Sequence, residues 1–598
     1  MSVAAALRRT PLSDDKTQAL ARLADDLDAA GLLWLSGYAA GLARHRAFPS
    51  AAPALADAAT AQVEATARLI IVYGSQTGNA KRVATELAER AQAQGLNVRL
   101  LRADAYPLRE LKDERLLYVV ISTQGDGDPP DDARAFIGFI ASRRAPKLPQ
   151  LRFAVLGLGD SSYPQFCAVA RTLDARLAEL GATRLLARGD ADMDIDAVVA
   201  PWSQRALEEA KEALKIRAAL ATVTPLRAPQ AATTEREVEA EVLANQRITA
   251  RDSAKDVRHL ELALEGVEYE AGDALAVMPR NASALVDEVL ASLHANGDES
   301  IAHGGVELPL RTWLREKLEL TRLSRPFVGA HALRAHDAEL VRLLEPARAE
   351  AFAKWLRAHQ LIDLLQATPV AWNAQELIAA LRPLTPRAYS IASSRTSVGA
   401  EAHLTVAHLE YEHAGAARWG AASHFLSTRA EGECVQVRVQ RNDRFRLPQD
   451  GARDIVMIGA GTGVAPYRGF LQERAATAAR GRNWLLFGAA HFHSDFFYQT
   501  EWQAALKNGS LHRLDLAFSR DQAEKIYVQH RLRQHGRELY AWLRSGAHLY
   551  VCGDTRMAKD VHAALIDVII EHHGRSREDA TEHLAELHRA GRYARDVY

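Results

Sequence analysis

The sequence predicts an α/β protein of several domains, in which a doubly wound parallel sheet precedes an antiparallel β-barrel and a second α/β domain. Three observations support this fold class. The chain has 598 residues, 48% of them hydrophobic, which is too long for one core and indicates about three or four domains. Apolar runs alternate with helical segments near both ends of the chain, as in parallel sheets. Apolar and polar residues alternate singly in the middle, as in antiparallel strands.

The domain boundaries are predicted from changes in composition and periodicity. In chain order, we expect an N-terminal helical oligomerisation segment and linker (1–66), a doubly wound domain (67–214), a flexible linker (215–234), a β-barrel domain (235–450) with a helical insertion at about 281–381, and an α/β domain (451–598).

The longest uncharged apolar run, Ala29 to Ala43, has two possible structural roles. It is shorter than the roughly 20 residues that a membrane-spanning helix needs. Gly37 and Gly41 would let a helix approach a second copy closely. Ordinary packing within the same subunit is the alternative, so both readings stay open.

Charge and cysteine content exclude several classes of protein. Lys and Arg number 74 and Asp and Glu 75, so no overall basic field exists to hold nucleic acid or an anionic membrane. Cys167, Cys434 and Cys552 are far apart and form no CxxC pair, which argues against a disulfide framework or a metal site. This cysteine usage and an N-terminus unlike a signal peptide predict a cytoplasmic protein.

Polar loops follow three predicted strands, 67–73, 116–122 and 152–158. The first loop joins a strand to a helix, where hydroxyl and backbone N–H groups favour a phosphate. A capped turn without any ligand is the alternative for this loop alone. The next two loops supply glycines for close backbone approach and Tyr163 for stacking on a flat ring. Together the three loops predict a pocket for flavin mononucleotide (FMN).

These loops resemble the flavodoxin domain of diflavin reductases. The predicted FMN-binding residues are Ser75, Gln76, Thr77, Gly78, Asn79, Ala80, Ser122, Thr123, Gln124, Gly125, Leu158, Gly159, Asp160, Ser161, Ser162, Tyr163, Pro164, Gln165, Phe166 and Cys167. Microsomal cytochrome reductases of that group usually carry an aromatic residue at the position of Gln124, so we expect the flavin to be covered differently here. The acidic residues nearby either steer a basic partner or are solvated loop charges: Asp126, Asp128, Asp131, Asp132, Asp190, Asp192 and Asp194.

A second motif, Arg387 to Ser394, resembles the RxYS motif of the ferredoxin-reductase superfamily. The resemblance implies that Arg387 pairs with the pyrophosphate of flavin adenine dinucleotide (FAD). It also implies that Tyr389 packs on the flavin and that Ser390 lies near the ring nitrogen that accepts hydride. The FAD-binding residues implied in this way are Arg387, Ala388, Tyr389, Ser390, Thr405, Val406, Ala407, Tyr411, Gly420, Ala421, Ala422, Ser423 and Tyr598.

A third region, from the glycine loop at 459–466 onward, resembles the NADP segment of the same family. The loop departs from GxGxxG spacing and would predict little by itself. The later cations and hydroxyls suit a 2′-phosphate, although a solvated charged turn is the alternative. The NADPH-binding residues implied are Gly461, Thr462, Gly463, Ser519, Arg520, Lys525, Ile526, Tyr527, Val528, Gln529 and Asp560.

The family resemblance also implies a site of hydride transfer. A single Cys at a strand end, such as Cys552, is usually inert packing. In the resembling family, this Cys, the RxYS serine and an Asp near the C-terminus line that site, which implies Cys552, Ser390 and Asp596 as catalytic residues. The final aromatic residue, Tyr598, would cover the FAD ring and move aside for nicotinamide.

Over nearly the whole chain, the sequence resembles the flavoprotein family of bacterial NADPH-dependent assimilatory sulfite reductases. The segments at 33–38, 382–390, 442–448 and the C-terminus carry this resemblance. It implies electron transfer from NADPH through FAD and FMN to a sirohaem and iron–sulfur hemoprotein (the beta component) that reduces sulfite to sulfide, and a homo-oligomer formed through the N-terminal segment. The alternatives are a diflavin reductase for another haem acceptor and a noncatalytic assembly scaffold.

Overall fold

The computed structural model describes residues 68–76, 78–124, 127–214, 236–574 and 576–598. The predicted N-terminal segment (1–66) and the whole predicted linker (215–234) lie outside the described residues, as do Thr77, Gly125 and Asp126. Residues 68–598 belong to one structural unit.

A parallel sheet forms the first part of the described chain. Its strands are β1 (Leu69–Gly74), β2 (Val98–Arg102), β3 (Leu116–Ser122), β4 (Arg152–Leu158), β5 (Thr183–Arg184) and β6 (Gly189–Ala191). Its helices are α1 (Asn79–Ala93), α2 (Arg134–Ala141), α3 (Ala168–Glu179) and α4 (Ile195–Ala213). The strand order is β2-β1-β3-β4-β5, with β6 also paired to β4. Apolar clusters cover both faces, as the uninterrupted apolar runs of these strands require.

An antiparallel sheet follows. Its strands are β7 (Val238–Arg247), β8 (Asp256–Ala263), β9 (Ala274–Met278), β12 (Arg387–Ser390), β13 (Glu401–His408) and β16 (Cys434–Gln440), in the order β12-β9-β16-β7-β8-β13. Between the two end strands, the described residues form only one isolated bridge, Ile391 to Leu404. The predicted β-barrel is therefore an antiparallel sheet whose two end strands, one of them the four-residue β12, meet without a continuous ladder in the described residues.

Most helices of this middle part lie between β9 and β12. They are α5 (Ser283–Leu293), α6 (Leu310–Thr312), α7 (Arg325–Ala335), α8 (Ala338–Leu343), α9 (Ala349–Ala358), α10 (Leu361–Ala367) and α11 (Ala374–Ala380), with a π-helical turn at Trp313–Lys317. They share one apolar core. A hairpin of β10 (Ser300–His303) and β11 (Val306–Pro309) also lies here and was not expected. Three short elements lie beyond β12: α12 (Arg395–Val398), the hairpin of β14 (Glu410–His413) and β15 (Ala416–Trp419), and α13 (Ala421–Ser427).

A second parallel sheet completes the chain and confirms the predicted succession of parallel, antiparallel and parallel sheets. Its strands are β17 (Ile455–Ala460), β18 (Asn483–Ala489), β19 (Arg513–Phe518), β20 (His548–Gly553) and β21 (Tyr593–Val597), in the order β19-β18-β17-β20-β21. Its helices are α14 (Ala465–Ala476), α15 (Phe492–Asp495), α16 (Gln499–Asn508), α17 (Val528–Gln534), α18 (Gly536–Arg544), α19 (Thr555–His573) and α20 (Arg577–Arg589). Among the described helices, none is both long enough and apolar enough to cross a membrane.

Candidate functional site

The three polar loops of the first sheet meet at one edge. They follow β1, β3 and β4, which are neighbouring parallel strands, so their carboxyl ends lie side by side. The order of the sheet reverses between β1 and β3, which is where such sheets form a ligand crevice. Gly78 precedes α1 in the left-handed conformation, with φ of 89°, and so lets the loop turn into the helix.

The loop polar groups fit an added ligand. Ser75 Oγ and Gln124 Oε1 are buried and lack a hydrogen-bond partner within the described residues, and such groups are normally satisfied. Tyr163 is 41% exposed and so has a free ring surface. The loop that carries Tyr163 is held in place by Asp192, which accepts the Ser161 backbone N–H at 3.0 Å. These features suit a flavin with a phosphate.

Two aspartates, for which the sequence left open partner steering or solvated loop charge, support the first loop. The Asp132 carboxylate accepts the backbone N–H of Ser75, 3.0 Å from each oxygen. The backbone N–H of Asp131 donates to Gln76 Oε1 at 3.2 Å. Burial raises the pKa of Asp132 to about 6, against the lowering effects of Arg444 and the Ser75 N–H. Asp131 and Asp132 therefore hold the loop after β1 in place.

Arg387 lies in β12, at the position that the RxYS resemblance gives to the FAD pyrophosphate ligand. Its Nη2 donates to Glu319 Oε2 at 2.7 Å and its Nη1 to the Thr385 carbonyl at 2.7 Å. Burial lowers the pKa of Arg387, and the Glu319 carboxylate partly offsets this effect. Glu319 was missed by sequence reasoning because it lies 68 residues away, within the helical insertion. The Glu319 carboxylate and the Thr385 carbonyl together hold the guanidinium in a fixed orientation.

The other residues predicted to contact FAD fall into two groups. Thr405 and Val406 are buried in β13, and the Thr405 hydroxyl lies 2.7 Å from the Tyr498 hydroxyl. Only the backbone and Ala407, which is exposed, remain to face a cofactor there. The tight turn from Gly420 into α13 is closed by Ser423, whose Oγ accepts the Leu409 N–H at 3.1 Å. Outside the turn, the Tyr411 hydroxyl accepts from Gln360 Nε2 at 3.2 Å.

Ser390, Cys552 and Asp596 come together although they lie on different strands. Ser390 Oγ donates to Asp596 Oδ2 at 2.6 Å, and Cys552 Sγ lies 3.8 Å from the same oxygen. Cys552 and Asp596 are register partners on β20 and β21. Burial and the adjacent Asp596 raise the pKa of the Cys552 thiol well above its ordinary value. Burial also raises the pKa of Asp596, while hydrogen bonds from Ser390 and Cys552 lower it.

The glycine loop after β17 contacts this cluster. A Cβ on Gly463 would lie 2.2 Å from the carbonyl oxygen of Cys552, so only glycine fits that position. Gly461 has a positive φ of 58°. The hydroxyls of Thr462 and Tyr598 are 2.7 Å apart, and the Tyr598 side chain is 63% exposed. The terminal ring therefore lies over the loop and is hydrogen-bonded to it through one hydroxyl.

The predicted NADP segment presents cationic and polar groups beside this loop. Arg520 and Lys525 are exposed, and Tyr527 is 41% exposed. Gln529 Nε2 donates to Asp560 Oδ2 at 3.1 Å, while Gln529 Oε1 has no partner within the described residues. Three other predicted residues have structural contacts. The Ser519 hydroxyl donates a hydrogen bond to the Ala489 carbonyl, and the side chains of Ile526 and Val528 pack in the apolar core.

One group of described residues has the composition of a metal site: His259, Glu261 and His403. Arg468 Nη1 lies 3.0 Å from His403 Nδ1 and can only donate, so this nitrogen accepts. His403 Nε2 must then carry the proton and donate to Glu401 at 3.1 Å. A protonated nitrogen cannot bind a metal. We therefore interpret the group as a hydrogen-bond network.

The FMN-type loops lie against the rest of the described unit. Arg382 Nη1, five residues before Arg387, donates to Asp160 Oδ1 at 3.2 Å. Arg444 Nη2 lies 3.1 Å from Asp104 and Asp132. Both arginines lie in segments that carry the family resemblance, but sequence reasoning missed their pairing, because their partners are more than 200 residues away. The contacts place the predicted FMN and FAD regions next to each other.

Family comparisons assign a family to each of the three sheets. Residues 71–202 match the flavodoxin family, 231–425 the FAD binding domain family, and 457–563 the oxidoreductase NAD-binding domain family. The fold and the adjoining loops define a diflavin reductase, a class that uses a nicotinamide nucleotide, FAD and FMN.

Curated relatives narrow the class. The chain is 45% identical to the sulfite reductase (NADPH) flavoprotein alpha-component of Shewanella sp. (strain ANA-3), 43% to that of Yersinia enterocolitica and 46% to that of Neisseria meningitidis. Each match covers 98% of both chains. The chain belongs to the family of sulfite reductase (NADPH) flavoprotein alpha-components.

Proposed function

We propose that this protein carries electrons from NADPH through FAD and FMN to a sirohaem and iron–sulfur hemoprotein that reduces sulfite to sulfide. One observation carries the proposal. The Asp160–Arg382 hydrogen bond of 3.2 Å joins an FMN-type loop to the segment that leads into the RxYS motif. Two flavin regions in contact suit a relay, since flavins accept electron pairs from a nicotinamide and release single electrons.

At the site of hydride transfer, the protein positions and stabilises rather than forming covalent bonds. Ser390 donates to Asp596 and so fixes the carboxylate beside Cys552. Asp596 lies in a buried environment that disfavours its charge. A positive charge beside it, such as the nicotinamide ring would acquire on giving up hydride, would stabilise the ionised carboxylate.

The two ends of NADPH are bound by different elements. Gly463 allows the glycine loop to lie directly on β20, next to Cys552. Arg520 and Lys525 provide exposed cations for the 2′-phosphate, and Tyr527 provides a ring for the adenine. Tyr598, which is hydrogen-bonded to Thr462, would have to move aside for a nicotinamide to stack on the flavin.

Anaerobic titration of the holoprotein with NADPH tests the relay. We expect both flavins to be reduced, and the added hemoprotein to be reduced only when FMN is present. Sulfite-dependent NADPH oxidation with the sirohaem partner tests the acceptor. Productive reduction of a cytochrome haem, with no reduction of sirohaem, would refute the sulfite assignment.

Self-association through residues 1–66 and a cytoplasmic location remain predictions. The test of the first is sedimentation of the full chain and of a chain that lacks residues 1–60. An unchanged mass per particle, apart from the deleted residues, would refute the role of the segment.

A further inference from the structure

Four sets of ion pairs join the flavodoxin-like domain, residues 68–214, to the rest of the described unit. Asp160 pairs with Arg382, Asp104 and Asp132 with Arg444, Asp128 with Lys559, and Asp131 with Arg595. Only in the Asp131–Arg595 pair are both side chains less than a tenth exposed, at 5% and 7%. Burial makes this pair the least screened by solvent.

Arg595 belongs to the strand that carries Asp596. Successive side chains of a strand point to opposite faces. Asp596 therefore meets Ser390 and Cys552 on one face of β21, while Arg595 reaches Asp131 from the other. Its Nε donates to Asp131 Oδ2 at 3.2 Å, and its Nη2 donates to Oδ1. Two parallel N–H bonds give this contact a defined orientation.

Asp131 is equally close to the FMN-type pocket. Its backbone N–H holds Gln76, and its neighbour Asp132 holds the Ser75 N–H. Burial alone would raise the pKa of Asp131, but Arg595 and Arg134 together lower it. The carboxylate therefore stays ionised and paired at neutral pH. The Asp131–Arg595 pair thus connects the loop after β1 with β21, the strand that also carries Asp596.

We propose that Arg595 is a positioning residue for electron transfer between the flavins. It holds the flavodoxin-like domain against β21 at the side that carries the loop after β1. The inference rests on the proposed function. Its action is indirect: Arg595 sets the distance and orientation of the FMN region relative to the FAD region through Asp131. Ser390 and Asp596 serve hydride transfer on the opposite face and do not depend on the pair.

Stopped-flow reduction of the holoprotein by NADPH separates the two steps, because reduction of FAD precedes that of FMN. In Arg595→Gln we expect the second phase to slow by about tenfold or more, as for loss of a hydrogen bond between charged groups. The first phase should stay within about twofold of the wild type, since the hydride-transfer cluster is intact.

Arg134→Gln is the matched control. Arg134 Nε donates to the same carboxylate at 2.8 Å but belongs to the flavodoxin-like domain itself. Its loss should leave both phases within about twofold, because no contact between the two regions is removed. Asp131→Asn should slow the second phase as Arg595→Gln does, and the double variant should be no slower than either single one.

Three results would overturn the inference. An unchanged second phase in Arg595→Gln would show that the pair does not set the arrangement of the flavins. Equal slowing of both phases would show that Arg595 only maintains β21. Additive slowing in the double variant would show that the two residues act separately. A wild-type protein that binds one kind of flavin would instead refute the proposed function itself.

Discussion

Replacing Gly463 by alanine tests the contact between the glycine loop and β20. The added Cβ would lie 2.2 Å from the Cys552 carbonyl oxygen and 2.7 Å from its carbonyl carbon. The obstacle is backbone in a strand that pairs with β17 on one side and β21 on the other. The strand is therefore the stiffer partner, and the loop must move away by about 1 Å to relieve the overlap.

The displacement should mainly affect the reaction with NADPH. A shift of about 1 Å in a positioning element can lower a rate by roughly 10²-fold. We expect a loss of that order in the rate at which NADPH reduces FAD in Gly463→Ala, measured by stopped-flow absorbance. Reduction of the bound flavins by dithionite should be unaffected, since it does not use the glycine loop.

Two alanine variants serve as controls for this experiment. Gly138 lies in α2 with no atom near its would-be Cβ, so Gly138→Ala should behave as the wild type. Gly461→Ala meets no atom either but places alanine at a positive φ of 58°, which costs about 1 to 2 kcal/mol without a clash. Wild-type reduction by NADPH in Gly463→Ala, at unchanged KM, would contradict the close contact.

Further substitutions probe the remaining sites. Ser390→Ala removes the hydrogen bond to buried Asp596 and should slow flavin reduction by NADPH about 10- to 100-fold at unchanged flavin content; an unchanged rate would contradict a positioning role. Ser75→Ala should raise the FMN dissociation constant about tenfold while FAD stays bound, and equilibrium dialysis measures both; equal loss of both flavins would argue against it. Burial, with Arg468 and His403, lowers the pKa of His259 from 6.5 to about 3. Below about pH 6.5 the unfolded chain therefore binds a proton at this residue that the folded chain does not, and the free energy of unfolding falls as the pH drops. In His259→Gln this loss should be smaller by up to about 1.4 kcal/mol per pH unit, which denaturant melts at pH 4 to 7 can measure; equal slopes would refute the shift.

Local sequence patterns were sufficient for strands with continuous apolar character. β3 and β4 have the bounds that the apolar runs predict, residues 116–122 and 152–158. The hairpin of β10 and β11 was missed, although its Gly304-Gly305 turn, with both φ angles positive, is a known hairpin signal. The strands have only four residues each, which is too short for periodicity to stand out among helices.

Site residues could be predicted where a motif or the family resemblance covers them, and not where a contact depends only on how distant segments pack. The RxYS motif identified Ser390, and family resemblance identified Asp596 206 residues away. No local feature of Glu319 or Arg595 distinguishes it from the many other charged residues of the chain. Glu319 meets Arg387 through the packing of the helical insertion, and Arg595 meets Asp131 through the packing of two domains. A single sequence does not encode either kind of packing in a local period.

The acidic loops illustrate this limit, because the sequence did not indicate that their carboxylates pair within the chain. Asp128, Asp131 and Asp132 were expected either to steer a partner or to be solvated, and each instead forms an ion pair within this chain. A partner that binds through these carboxylates must therefore displace Lys559, Arg444 and Arg595. Its apparent affinity is the intrinsic affinity multiplied by the fraction of molecules in which the carboxylates are free. Higher salt weakens the internal pairs as well as the external ones. Electron delivery that uses these residues should consequently pass through a maximum at intermediate ionic strength, whereas a partner that binds elsewhere on the domain would show no such maximum.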